Sequence, residues 1–270
     1  MRRRIFSILS VLAVCAGALA ATTGSLIAAP KHFVLVHGAW HDGSAWRATI
    51  EHLESEGHRT FAPTIAGNGK AADRNVNHAA CTKSIVDAIV SKDLRDFVLL
   101  GHSFGGTIIA KVAEAIPERI RRLVFLAAFV LRDGKSLVDE TPPETAAIFA
   151  QIAQSTADNT VMLPFPVFRE QFINDVPLDV AQKVYAELSP QPYQPVADRL
   201  DMKKFFSLPT PKSYINCTED TALPPGEFGW HPRMSSRLGL YRLVQMPGSH
   251  EVMYSNPAGL AGKIVEAGRD

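Results

Sequence analysis

The residues Gly101-His-Ser-Phe-Gly-Gly106 set a serine midway between two glycines. A free serine hydroxyl is a poor nucleophile and needs a base to activate it. The G-x-S-x-G spacing matters where it joins a strand to a helix. The tight turn then strains the serine backbone and lifts its hydroxyl above the sheet, at the positive end of the helix dipole. An apolar strand, Phe97–Leu100, precedes this motif and a helical stretch from Gly105 to Ile116 follows it. Ser103 is therefore the expected nucleophile; the plainer alternative is a Gly-rich turn with a capping serine.

The base is expected after the last strand, where Gly248-Ser249-His250 follows Tyr241–Val244. Among nine histidines, His32, His52, His58, His78 and His231 have surface or packing readings. His102 should point away from Ser103, and His37 and His41 fall in a loop after the first strand. His250 needs an acid to hold its tautomer and stabilise the imidazolium. The loop after the penultimate strand reads Asn216-Cys-Thr-Glu-Asp220, giving Asp220 as the acid and Glu219 as the alternative. An oxyanion needs two backbone N–H donors. Phe104, next to the nucleophile, and Ala39, in the His37-Gly-Ala-Trp40 loop, are placed to supply them. Substrate contacts are expected from Gly38, Trp40, Phe129, Phe165 and Phe168.

These groups need a scaffold of alternating strands and helices. Short apolar runs at His32–Val36, Arg59–Pro63, Phe97–Leu100, Leu123–Leu126, Ser213–Asn216 and Tyr241–Val244 read as strands. Helical stretches are expected at about Ala45–Glu56, His78–Ser91, Gly105–Ile116 and Pro257–Ala267. Strands that are apolar throughout imply a parallel sheet covered on both faces. A Phe- and Pro-rich segment, 132–208, interrupts the alternation. So long a stretch must carry its own structure. It is expected to cap the carboxyl ends of the strands, where ligands bind in open α/β sheets. The core is then 30–131 with 209–270. Most of the insertion's aromatics should form its own core, and a minority should face a pocket.

Composition narrows the functional classes. The chain has 270 residues, 46% hydrophobic and 20% charged, as expected of a globular α/β protein. Basic and acidic residues number 28 and 27, with no basic run in the body, which argues against nucleic acid as the main ligand. There is no CxxC, HxH or HExxH, and no metal or cofactor is expected. Arg2-Arg3-Arg4 followed by an apolar stretch to Ala21 reads as a signal peptide over residues 1–29, cleaved after about 20 or 29. A retained membrane anchor is the alternative, but the run is marginal for a bilayer span. The twin-arginine and general export routes both fit. A periplasmic or secreted bacterial protein follows, with no lasting membrane insertion. In such a compartment Cys81 and Cys217 either pair or stay as separate buried thiols.

The body resembles the plant methylesterase and hydroxynitrile lyase family of α/β-hydrolases. The resemblance is carried by His37-Gly-Ala-Trp40 with Trp46, Gly101-His-Ser-Phe-Gly-Gly106, Phe125-Leu-Ala-Ala-Phe129, Tyr214-Ile-Asn-Cys-Thr-Glu-Asp220 and Gly248-Ser-His250. The order Ser103, Asp220, His250 is that of the fold. The resemblance implies an α/β-hydrolase fold with about six mainly parallel strands, helices on both faces and a mostly helical cap. It also implies a cofactor-free serine hydrolase, often a homodimer, acting on small carboxylic esters. Lyases of the family carry Thr in the first-strand loop and Lys after the catalytic histidine. Gly38 and Glu251 stand there instead. Cyanohydrin cleavage needs that cation, so lyase chemistry is disfavoured. The residue before the histidine, often Asp in plant members, is Ser249. The plant proteins lack an export signal, so their substrates are not carried over. A Phe-rich cap favours apolar or aromatic esters. An amidase, lactonase or carbon–carbon hydrolase could use the same triad, and a non-catalytic binding protein is the more distant alternative.

Overall fold

In a computed structural model, residues 30–270 are described. The expected signal peptide lies outside them. The core begins with β1 (His32–Val36), α1 (Arg47–Ser55), β2 (Arg59–Phe61) and α2 (His78–Ser91). It continues with β3 (Phe97–His102), α3 (Gly105–Ala115) and β4 (Ile120–Leu126). The insertion then carries α4 (Pro143–Ser155), β5 (Thr160–Val161), α5 (Phe165–Gln171) and α6 (Leu178–Glu187). It ends with β6 (Gln191–Pro192), α7 (Tyr193–Ala197) and α8 (Lys203–Ser207). The chain closes with β7 (Lys212–Cys217), β8 (Arg242–Met246), α9 (Val252–Ser255) and α10 (Pro257–Ala267).

Six strands form one sheet in the order β2-β1-β3-β4-β7-β8, and every neighbouring pair is parallel. Successive side chains of a strand point to opposite faces. Val34, Val36, Leu99 and Phe125 therefore pack towards α2, α3 and α8. Phe33, Leu35, Val98, Leu100 and Val124 pack on the other side, towards α1 and α10. β5 and β6 make a small antiparallel ribbon within the insertion. A third apolar cluster, built on Phe168, Phe172, Ile173 and Val184, forms the insertion's own core and includes Trp40 from the core loop.

Helix ends follow from local chemistry. Asn77 and Asn256 cap α2 and α10 by accepting the N–H of Ala80 and Gly259. Several element boundaries shift, and one open alternative is decided. The first helix starts at Arg47 because Asp42 caps a single 3-10 turn, Gly43–Trp46, ahead of it. β2 stops at Phe61, since only Arg59 to Phe61 pair with β1 at the sheet edge. Cys81 and Cys217 are both free and buried, in clusters on opposite faces of the sheet, so they do not form a disulfide.

Candidate active site

Ser103 sits in the turn between β3 and α3 with φ +52°, in the left-handed region that L-residues avoid. The turn holds because its backbone groups are paired. Ser103 N–H donates to Leu126 O at 3.2 Å, and its carbonyl accepts from Gly106 N at 3.0 Å and Phe129 N at 3.1 Å. The flanking glycines are required by close approach. A Cβ on Gly101 would lie 2.5 Å from the Gly105 carbonyl oxygen, and one on Gly105 would lie 2.6 Å from that of His37.

His250 follows β8 and is almost wholly buried. Its Nδ1–H donates to Asp220 Oδ2 at 2.6 Å. Asp220 is fixed in turn, its Oδ1 accepting from Ala222 N at 2.9 Å. Glu219 is exposed and makes no such contact. Burial pushes the His250 pKa down, but the Asp220 charge and hydrogen bond, with Glu251, outweigh it and hold it above the ordinary value. Three rings surround the imidazole. Trp230 stacks at 5.1 Å, Phe172 meets it edge-on at 5.3 Å, and His102 tilts against it at 4.6 Å. His102 Nε2–H donates to His250 O at 3.1 Å. Burial, then the neighbouring His250, keep its pKa well below normal, so it stays neutral.

The loop after β1 approaches the serine turn from the other side. His37 is buried with a pKa lowered to about 4, chiefly by desolvation; it donates to Gly38 O and accepts from Ile65 N. A Cβ on Gly38 would lie 2.8 Å from His102 Nδ1 and 3.1 Å from Ser103 Cβ, so a side chain at this position would force His102 to move. Trp40 adopts φ +65°. The insertion holds it there: Trp40 N–H donates to Gln191 Oε1 at 3.2 Å, its indole N–H to Val161 O at 2.9 Å, and its carbonyl accepts from Ser189 N at 2.9 Å.

Ser103 and His250 open on one cavity, with about 870 Å³ of space between its wall atoms, part of it continuous with solvent. Ala39 and Phe104 line it beside them. Of the expected substrate contacts, Trp40 and Phe129 form part of the wall. Gly38, Phe165 and Phe168 do not. Gly38 is tucked behind Ser103 against His102. Phe165 and Phe168 share one face of α5, three residues apart, and pack on Tyr185 of α6. Phe168 also stacks on Phe172, with ring centroids 5.8 Å apart. The cavity face of α5 carries Val167 and Gln171 instead. Phe149, Phe172, Leu223 and Trp230 also belong to the apolar wall and were not singled out from sequence as substrate contacts. The i, i+4 spacing of Val167 and Gln171 was a usable signal; Trp230, in an aperiodic loop, offered none. Among the described residues lining the cavity there is no Lys, Arg, Asp or Glu.

This arrangement has known relatives. The sequence profile described as the alpha/beta hydrolase family matches residues 33–263.

The chain belongs to the alpha/beta hydrolase family.

It is 32% identical to the carbendazim hydrolyzing esterase of a Nocardioides species, over 88% of this chain and 99% of that protein. It is 27% identical to salicylic acid-binding protein 2 of Nicotiana tabacum, over 87% of this chain and 96% of that one. Among solved structures, an extracellular alpha/beta-hydrolase from a Paenibacillus species matches at TM-score 0.87 and 45% identity. The match covers 89% of this chain and 100% of that one. That hydrolase is described as sharing structural and functional homology with the tobacco protein. No helix among the described residues is long and apolar enough to cross a membrane.

Proposed function

We propose that this alpha/beta-hydrolase cleaves small apolar or aromatic carboxylic esters through an acyl-enzyme on Ser103. The observation that carries the reading is the 2.6 Å bond from His250 Nδ1–H to Asp220, at a histidine that shares a cavity with Ser103. An esterase among the relatives, aligned over nearly its whole length, supports the reaction class. In the first step Ser103 Oγ attacks the ester carbonyl as His250 takes its proton. Asp220 stabilises the imidazolium that forms. The backbone N–H groups of Ala39 and Phe104 receive the oxyanion, each such donor being worth about 3–4 kcal/mol in enzymes of this kind. His250 then protonates the leaving alcohol, and water activated by His250 releases the acid.

The uncharged wall supports neutral, apolar substrates, since an ionised group would be desolvated there without a partner. Segment 132–208 is read as a cap over the 30–131 and 209–270 core, because α4, α5 and β5 all contribute to the wall. Export is supported by the Arg2–Arg4 pattern and by the extracellular Paenibacillus relative. The test is hydrolysis of p-nitrophenyl esters from acetate to laurate, with Ser103→Ala as the control. Turnover that peaks at short acyl chains and vanishes in the variant is expected. Undiminished turnover in folded Ser103→Ala would sink the assignment.

A further inference from the structure

The loop bearing His250 is held from two sides. On one side it meets the loop of its acid partner, with Glu219 N–H donating to Gly248 O at 3.2 Å. On the other it meets the turn between α5 and α6, which belongs to the insertion. There Glu251 N–H donates to Phe172 O at 3.0 Å. Three residues on, Asp175 takes both donors of Ser249. Ser249 N–H donates to Asp175 Oδ2 at 2.8 Å, and Ser249 Oγ–H donates to Asp175 Oδ1 at 2.6 Å. The residues immediately before and after His250 are thus both tied to one short stretch of the insertion.

This pairing is unusual in its distribution. Ser249 is completely buried, whereas Asp175 reaches in from an exposed position. A carboxylate accepting two hydrogen bonds makes a charge-assisted fork, stronger and more directional than a neutral contact. Nothing about Asp175 serves the core of the insertion, which is made by its neighbours Ile173 and Val176. Each of its two oxygens accepts from one residue 74 positions away in the chain, and Ser255 approaches the same carboxylate.

We propose that Asp175 is a positioning residue for the reaction, fixing the His250 imidazole between Asp220 and Ser103 by clamping Ser249. The proposal rests on His250 being the base. Asp175 touches neither substrate nor the reacting atoms. It acts on the rate by removing the freedom of the peptide on which the base is mounted. A displacement of about 1 Å at such a group lowers turnover by about 100-fold. The insertion then has a second task besides walling the cavity, since it completes the mounting of the base.

The test compares wild type with Asp175→Ala, Asp175→Asn and Ser249→Ala in the full chain, using two readouts. The first needs no substrate: the far-downfield proton resonance of His250 Nδ1–H in its bond to Asp220. The second is kcat and KM on p-nitrophenyl butyrate. Asp175→Ala is expected to broaden or lose the resonance and to lower kcat by about 10- to 100-fold, with KM nearly unchanged. Asp175→Asn, which keeps an acceptor oxygen, should restore part of both. Ser249→Ala should fall between, because it keeps the backbone N–H. A sharp resonance at the wild-type position with wild-type kcat in Asp175→Ala would overturn the proposal, even if its melting temperature fell. Turnover surviving in Ser103→Ala would instead remove the esterase reading, and the resonance would still judge Asp175 by itself.

Discussion

Trp230 lies against His250 with ring centroids 5.1 Å apart and planes only 17° from parallel. A π face over an imidazole favours its cationic form, by about 0.5–2 kcal/mol when the pair is shielded from water. His250 must become cationic twice in each catalytic cycle of the proposed mechanism. Trp230→Leu should therefore lower the His250 pKa. The limb of the kcat/KM profile that rises as His250 deprotonates would move to lower pH, while the maximum falls. A limb that stays in place would show that Trp230 only fills space.

The choice between two adjacent acids is open to a direct comparison. Asp220 accepts from His250, while Glu219 faces solvent. Asp220→Asn should lower kcat by about ten-thousand-fold by favouring the wrong imidazole tautomer. Glu219→Gln should leave kcat close to wild type. Steady-state rates on one short ester, with circular dichroism to verify folding, decide the matter.

Two buried histidines that take no proton in the proposed reaction contribute, beside His102, to the acid sensitivity of the fold. Desolvation lowers both His37 and His78 from 6.5 to about 4. His78 is held neutral between the Phe104 ring and the Thr107 hydroxyl. The unfolded chain binds these protons near pH 6.5 and the folded chain only near pH 4, so stability is complete above 6.5 and declines as pH falls towards 4. At pH 5 the loss should be roughly 2 kcal/mol for each histidine. Urea midpoints measured at pH 7.5 and pH 5 would show it, and His78→Gln should reduce the difference.

Glu140 is fully buried and bound by three guanidinium groups. Arg132 Nε lies at 2.9 Å, Arg233 Nη2 at 2.5 Å and Arg237 Nη2 at 3.0 Å. Burial would raise the carboxyl pKa, but the arginines prevail and keep it below the ordinary value. This cluster ties the start of the insertion to the loop that carries Trp230. Glu140→Gln should cost about 2–3 kcal/mol of stability, since it leaves partly buried cations unpaired. It should also raise KM, because Leu137, Thr141 and Trp230 around the cluster all line the cavity. Thermal melts and KM on a short ester test the two effects separately.

How far the sequence could be read depended on the range of the forces involved. β1, α2 and α10 have the expected boundaries because uninterrupted apolar runs, asparagine caps and a leading proline act within a few residues. Ser103, Asp220 and His250 could be singled out because turn chemistry and strand order constrain where they stand. The facing of α5 could not. Phe165 and Phe168 turn towards Tyr185 because α6 packs on that side, a tertiary fact without a local sign. The bond from Ser249 to Asp175 spans 74 positions, and no periodicity announces it.

The uncharged wall of the cavity also bears on how each proposed cycle ends. A neutral ester enters without losing strong hydration. The acid that leaves it ionises near neutral pH, and the described wall offers no lysine or arginine to receive the charge. Away from His250 and the proposed N–H donors of Ala39 and Phe104, the apolar wall solvates a carboxylate less well than water does. Hydrolysis thus turns a guest matched to the whole wall into one matched only at the His250 end, which favours release of the acid.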